Sequence, residues 1–208
     1  MSKILATLVF AFGFVLPALA QEAPDALVRN LSNEMSETVR SDKAIQSGDV
    51  KRMIEVVETR ILKHFDFTRM TGLAVGREWR NASAEQKTAL TAEFRTLLVR
   101  SYANALGQYK NQTIEVKPLK AKPEDTEVVV RSEIRQPGSK PITLDYDMGK
   151  SSEGWRVFDV AVAGVSLVTN YRETFSQEIK AGGIDGLIKT LRDKNQQSAA
   201  KLAEAGKK

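Results

Sequence analysis

Hydrophobic residues recur through the first half of the chain at helical spacing. Pro24 and Asp25 open a segment in which Leu27, Val28, Leu31, Met35, Thr38 and Val39 share a face. Ser41 to Gly48 is polar and reads as a loop. Asp49 is placed to cap a second helix whose buried face is Met53, Ile54, Val57, Ile61 and Phe65. Phe67 to Trp79 is less regular, with Gly72 and Gly76 as points of turning or close packing. Ser83 and Gln86 have the spacing of a capping box, in which each side chain satisfies the other's free backbone N–H. The helix they open carries one wide apolar stripe: Leu90, Phe94, Leu97, Leu98, Tyr102, Ala105, Leu106 and Tyr109.

The period then changes to two. Ile114 and Val116 alternate with polar residues, as do Val128, Val130 and Ile134, then Ile142, Leu144, Tyr146 and Met148. Trp155 to Val162 makes a fourth strand, with Phe158, Val160 and Val162 expected on one side. The connections at 118–125, 136–141 and 149–154 are short, so neighbours run antiparallel. Each strand has an apolar and a polar face, which predicts a sheet covered on one side and wet on the other. Helical spacing returns at Ser166 to Lys180, stops at Gly182-Gly183, and resumes over Ile184 to Leu191. This order predicts an α+β domain: a curved four-stranded antiparallel sheet with helices packed on one face.

The ends of the chain follow other rules. Lys3 is the only charge before Ile4 to Leu16, an apolar run of 13 residues followed by Pro17 and Ala18-Leu19-Ala20. A basic start, a short apolar core and an A-x-A site are the parts of a secretory signal peptide, and the run falls short of the roughly 18–20 residues a membrane helix needs. Residues 1–20 are therefore expected to be removed, which implies export to the periplasm. No cysteine follows the run to carry a lipid anchor. Residues 21–195 read as a single domain. Residues 196–208 are nearly devoid of large apolar side chains and are expected to fray as a disordered polar tail.

Composition narrows the chemistry. With no cysteine there is no disulfide, thiolate metal site or thiol nucleophile. His64 is the only histidine, which removes multi-histidine metal sites and most catalytic triads; no metal site is expected. The net charge is +5, or +4 without Lys3, and no Lys/Arg cluster is dense enough to suggest nucleic acid. The mild excess favours anionic surfaces such as phospholipid headgroups. An enzyme would draw on Asp145, Tyr146, Asp147 and Asp159, but alternation puts Asp145 and Asp147 opposite the apolar face, where a general base is of no use. Arg131 and Arg135 share the polar face of one strand and read as solvated charge.

Two stretches carry a resemblance. Residues 65–106 contain DF-x-x-M (Asp66 to Met70), G-x-x-W (Gly76 to Trp79), ASAEQ (Ala82 to Gln86) and FR-x-LL-x-x-x-YA (Phe94 to Ala103). Residues 145–191 contain GWRVFDV (Gly154 to Val160), GVSLV (Gly164 to Val168), NYR-x-x-F (Asn170 to Phe175) and GIDGLI (Gly183 to Ile188). Together they resemble the MlaC-type periplasmic phospholipid-binding proteins, also called the toluene-tolerance auxiliary family, across nearly all of the chain after residue 20. One departure is Ala163, where the family often carries Glu.

The resemblance implies a monomeric carrier with no cofactor other than its cargo, a bound phospholipid. It would exchange that cargo with an inner-membrane ABC transporter complex and an outer-membrane lipoprotein–porin complex. It also implies a cavity, which periodicity alone does not. The same inner-face residues would equally build a filled core. Under the resemblance, one wall of a lipid pocket is Val128, Val130, Ile134, Ile142, Leu144, Tyr146, Phe158, Val160 and Val162. The facing wall is Leu97, Leu98, Tyr102 and Leu106, closed at one end by Met70, Leu73 and Val75 and at the other by Val165, Leu167 and Tyr171. Ser166 is either a headgroup contact at a helix N-terminus or a cap for its own helix. A carrier of acylated proteins would make the same demands on the pocket and stands as the alternative.

Overall fold

The computed structural model describes residues 21–107, 112–122 and 124–205, except the side chains of Asn104, Leu106 and Ala205. The expected leader and Tyr109 lie outside the described residues. Helix α1 (Pro24–Ser41) begins with proline in its first turn, where the missing N–H costs nothing. Asp42 ends it and at once caps α2 (Lys43–Gln46), accepting from the Ala44 and Ile45 amides. The stretch expected as a polar loop thus holds a turn of helix, because Ile45 within it is buried. Asp49 caps α3 (Val50–Val56) by accepting from the Arg52 amide. The helix runs on as one π turn, Val57–Ile61, and one 3-10 turn, Leu62–His64. Asp66 caps α4 (Phe67–Val75), and Gly76 ends it with φ 71°, a conformation that penalises a Cβ. The capping box opens α5 (Ala84–Gly107) as expected: Ser83 N donates to Gln86 Oε1 at 3.0 Å and Gln86 N donates to Ser83 Oγ at 3.2 Å.

The sheet has five strands in the order β1-β2-β3-β4-β5, each antiparallel to its neighbour. They are β1 (Thr113–Val116), β2 (Glu127–Arg135), β3 (Ile142–Ser151), β4 (Gly154–Val162) and β5 (Val165–Ser166). The fifth is two residues long and follows a tight turn in which Ala163 and Gly164 both have positive φ, 50° and 81°. That is the backbone a two-residue hairpin turn matching the strand twist requires. The outer edge of β4 is covered elsewhere by Phe65, which bridges to Val157, and by the Asp66 amide, which donates to the Val157 carbonyl.

A β-bulge changes the assignment of faces. Asp147 pairs with Asp159, but Met148 pairs with Val157, so Phe158 is the extra residue. Trp155 and Val157 therefore join Val160 and Val162 on the face of Met148, and Phe158 turns to the other face. There its ring lies under the Arg69 guanidinium, 3.4 Å from the centroid. The second face is consequently not wet throughout: along β4 it meets Arg69 of α4 and the first turn of the last helix.

That helix, α6 (Leu167–Ala205), is broken at Gly183, whose φ of 69° and ψ of −171° lie outside the helical region. The stop expected at Gly182-Gly183 is this break. The tail expected to fray instead continues the helix to Ala205. Asn195 holds it: the residue is buried, and its Nδ2 donates to the Glu93 carbonyl and carboxylate of α5.

Apolar side chains gather in three clusters rather than one. The first is helical, with Met70 and Val75 of α4, Leu90, Phe94, Leu97 and Leu98 of α5, and Phe175, Leu187 and Leu191 of α6. The second joins Leu27 and Val28 of α1 to Val116, Val130, Met148, Trp155 and Val157 of the sheet. The third packs Val39, Ile45, Met53 and Val57 against Val99 and Ala103 on the far side of α5.

Candidate functional site

The residues expected to line the sheet wall divide by cover. Val130 is buried in the cluster that also holds Leu27 and Val28 of α1, and Val128, Tyr146 and Val160 pack against that cluster half-buried. Outside that cluster the same face carries Ile134, which is buried, and Leu144 and Val162, which are half-buried. Ile142 there is 43% exposed. Val165 pairs with Val162 on β5 and extends the apolar row to the edge, where it is 58% exposed. A continuous apolar face is thus covered at one end and left half-open at the other. Phe158 does not belong to this wall, because the bulge places it against the helical cluster.

The residues expected on the helical wall are largely spent on core. Met70, Val75, Leu97 and Leu98 are buried in the first cluster, which Leu73, Tyr102 and Tyr171 border as half-buried neighbours. Leu167 is also half-buried. The side chain of Leu106 lies outside the described residues. Phe94 meets both Tyr171 and Phe175 edge to face, with centroids 5.1 and 5.0 Å apart. Burial pushes the Tyr102 and Tyr171 hydroxyls above the usual tyrosine range, and for Tyr171 the nearby Tyr102 adds to the effect. Both therefore stay neutral and able to donate a hydrogen bond at the border of the helical core.

Ser166 is committed to local structure. Its hydroxyl accepts from the Thr169 amide at 3.0 Å and donates to the Asp159 carboxylate. Asp159 is buried and also accepts from the Val168 amide at 3.1 Å and the Val160 amide at 2.8 Å. The amides at the start of α6 thus already have an anion of the chain's own, and the headgroup role considered for Ser166 loses its donors. Sequence reasoning missed Asp159 in this role: alternation puts it opposite Val160, on the face read as wet, and does not say that the first turn of α6 meets that face. The adjacent apolar pair Val157-Phe158, which breaks strict alternation, is the signal that marks the bulge beside it.

The other candidates for acid–base chemistry sit away from the apolar wall. Asp147 pairs across the strands with Asp159. Burial first, then the Asp159, Asp145 and Glu127 carboxylates, hold Asp147 above the usual carboxylate range, and Arg69 opposes them. His64 ends the 3-10 turn after α3; burial, then Lys63 and Arg156, hold its pKa below the usual value. Among the described residues, no group of three or more His, Cys, Asp and Glu is arranged to hold a metal.

A separate cleft of about 310 Å³ lies where α3, α5 and the last part of α6 meet. Its walls include Lys51, Ile54, Val99, Arg100 and Leu202, none of which was expected at a site.

Comparison with known proteins bears on the apolar face. The family model described as MlaC protein matches residues 29–193. The intermembrane phospholipid transport system binding protein MlaC of Haemophilus influenzae is 26% identical over 200 residues, which cover 95% of this chain and 92% of that protein. The toluene tolerance protein ttg2D of Pseudomonas putida is 23% identical over 185 residues, covering 88% and 85% respectively. A solved structure of the phospholipid-binding protein from Ralstonia solanacearum, in complex with a phospholipid, matches with a TM-score of 0.79. It is 36% identical in sequence, and the match covers 86% of this chain and 99% of that one.

Proposed function

The chain belongs to the MlaC protein family, whose model spans residues 29–193, and on that premise we propose that it is a periplasmic phospholipid-binding transport protein. One observation carries this reading: a chain with the fold of a protein solved with phospholipid leaves one end of its apolar sheet face half-open. A wall of Ile134, Ile142, Leu144, Tyr146, Val160 and Val162 gives acyl chains a dry surface. Tyr102 and Tyr171, which border the helical core, would serve as hydrogen-bond donors to the polar end of the lipid.

The energetics require such enclosure. Each buried CH₂ is worth about 0.8 kcal/mol, so two acyl chains with ~30 carbons between them gain on the order of 20 kcal/mol, gross, on leaving water. A monomeric lipid therefore crosses an aqueous space only inside a protein. The leader expected at residues 1–20 would place the chain in that space. Its exchange partners would be an inner-membrane ABC transporter complex and an outer-membrane lipoprotein–porin complex, which it would visit as a monomer. The chemistry is transfer without bond breaking, and the cargo is the only ligand the reading requires.

Native mass spectrometry of protein purified from a bacterial envelope, with no lipid added, tests the proposal. The expected mass is the chain without residues 1–20 plus about one diacyl phospholipid. Protein that is empty as purified and does not load from phospholipid vesicles refutes it. Capture of an acylated polypeptide in place of free phospholipid would instead support a carrier of acylated proteins.

A further inference from the structure

The cleft between α3, α5 and the end of α6 is not part of the apolar sheet face, and lipid carriage makes no use of it. We propose that it is a docking site for an acidic, amphipathic helix of a protein partner. The inference rests on the carrier reading only in supposing that this chain has protein partners to recognise.

The walls come from three helices. Ile54 of α3, Val99 of α5 and Leu202 of α6 give an apolar floor, and Lys51 and Arg100 line the same cleft. Neither cation has an ion-pair partner among the described residues. Among the described residues Arg100 donates to the Asn195 carbonyl, which is neutral. The one carboxylate in the lining, Glu58, is already matched by Arg95 at 3.6 Å. The cleft therefore presents apolar surface beside two uncompensated positive charges, and an occupant with carboxylates flanking an apolar ridge complements both.

Size and shape choose the class of occupant. The cleft's volume is at the bottom of the range, about 300–1,000 Å³, of pockets that enclose small molecules, so it does not house a diacyl lipid. No strand of the sheet contributes to it, so there is no edge to which an extended peptide could add. Helical walls instead offer grooves between side-chain ridges, which receive residues spaced i, i+3 and i+4 from another helix.

The tail supplies an independent argument. After Asp193 it is polar enough to be read as disordered, yet it remains helical and is anchored to α5 through Asn195 and the Arg192–Glu93 ion pair. Its one large apolar residue after Asp193, Leu202, lines the cleft. Recognition here would leave the sheet face free for cargo. The contact is small, so the complex should be transient.

The test uses the full mature chain and a fluorescent synthetic peptide of about 16 residues, long enough to hold a helix, with Leu at i, i+3, i+4 and i+7 and Glu on both flanks. Fluorescence anisotropy should show saturable binding that the double variant Lys51→Glu, Arg100→Glu weakens by about tenfold. Lys51→Glu alone, at an exposed position without a described hydrogen bond, should weaken it about threefold even if the Arg100 change loosens the tail. Absence of peptide binding, or equal binding to wild type and both variants, overturns the proposal. So does a result in which the variants lose only affinity for phosphatidylglycerol vesicles, since the basic face would then serve a membrane. Phospholipid content measured on the same samples keeps the two readings apart: lipid-free protein that binds the peptide contradicts carriage alone, and lipid-loaded protein that ignores it contradicts docking alone.

Discussion

Placing a carboxylate on the open end of the sheet face should empty the protein of lipid, and the same change on the opposite face should not. Val162 pairs with Leu144 on one side and Val165 on the other, and all three sit on the apolar face. Val129 is 40% exposed, and the alternation of β2 puts it on the opposite face from Val128 and Val130. Val162→Glu forfeits roughly 1 kcal/mol of contact with an acyl chain, about half the worth of a fully buried valine. The larger loss is electrostatic: an ionised carboxylate against hydrocarbon keeps water in the site or is stripped of it, at several kcal/mol. A combined loss of at least ~3 kcal/mol is a fall of more than about 100-fold in affinity. Val129→Glu exchanges the same side chains and should leave binding unchanged. Both proteins would be purified without added lipid, checked for folding by circular dichroism, and compared for bound phospholipid by mass spectrometry. Transfer of a fluorescent phospholipid between vesicles would follow. Full lipid content in Val162→Glu, or loss in Val129→Glu alone, would mean that the wrong face has been assigned to the cargo.

Three further outcomes follow from named contacts. Asp159→Ala removes the acceptor for the Val160 and Val168 amides and for Ser166, one of those amides being buried, and should cost about 2–3 kcal/mol, read as a lower urea midpoint. A loss under ~0.5 kcal/mol would show that this carboxylate does not hold the start of α6. Asp147 has a folded-state pKa above its ordinary 3.8, so the folded form binds the proton more tightly than the unfolded chain does. Stability should therefore fall as pH rises through that raised pKa and recover as pH drops towards 3.8; Asp147→Asn should flatten this part of the curve and be the more stable protein at neutral pH, as urea midpoints across pH would reveal. Ala163 holds φ at 50°, where Asn is better tolerated, so Ala163→Asn should stabilise by about 0.5–1 kcal/mol, visible as a higher Tm.

How far the fold could be read from the sequence depended on the range of the interaction concerned. Caps are local, and Asp49 and the Ser83–Gln86 box act where spacing places them. The strands also follow from alternation, and the inner faces of β2 and β3 are those the sequence indicated. What failed was non-local. Residues 196–205 carry almost no apolar signal, and their helix is held by Asn195 reaching Glu93, a partner about a hundred residues away in sequence. α5 was matched to the sheet because both are apolar, yet its Leu97 and Leu98 are buried among α4 and α6 while α1 covers the sheet. Period and hydrophobicity say which side of an element is turned inward; they do not say which other element it meets.

The bulge in β4 connects these observations. With strict alternation, Trp155 and Val157 would lie opposite Val160 and Val162, and α1 would lose both from the apolar floor it shares with Val116, Val130 and Met148. One extra residue, Phe158, brings all four onto one face and lengthens the apolar wall. Asp159, opposite Val160 on the second face with or without that extra residue, is within reach of the amides that open α6. The shift in register adds Trp155 and Val157 to the closed core at one end of a face that stays half-open at the other, and a lipid-sized space requires that combination: a floor rigid enough to hold its shape beside a surface that its own side chains do not fill.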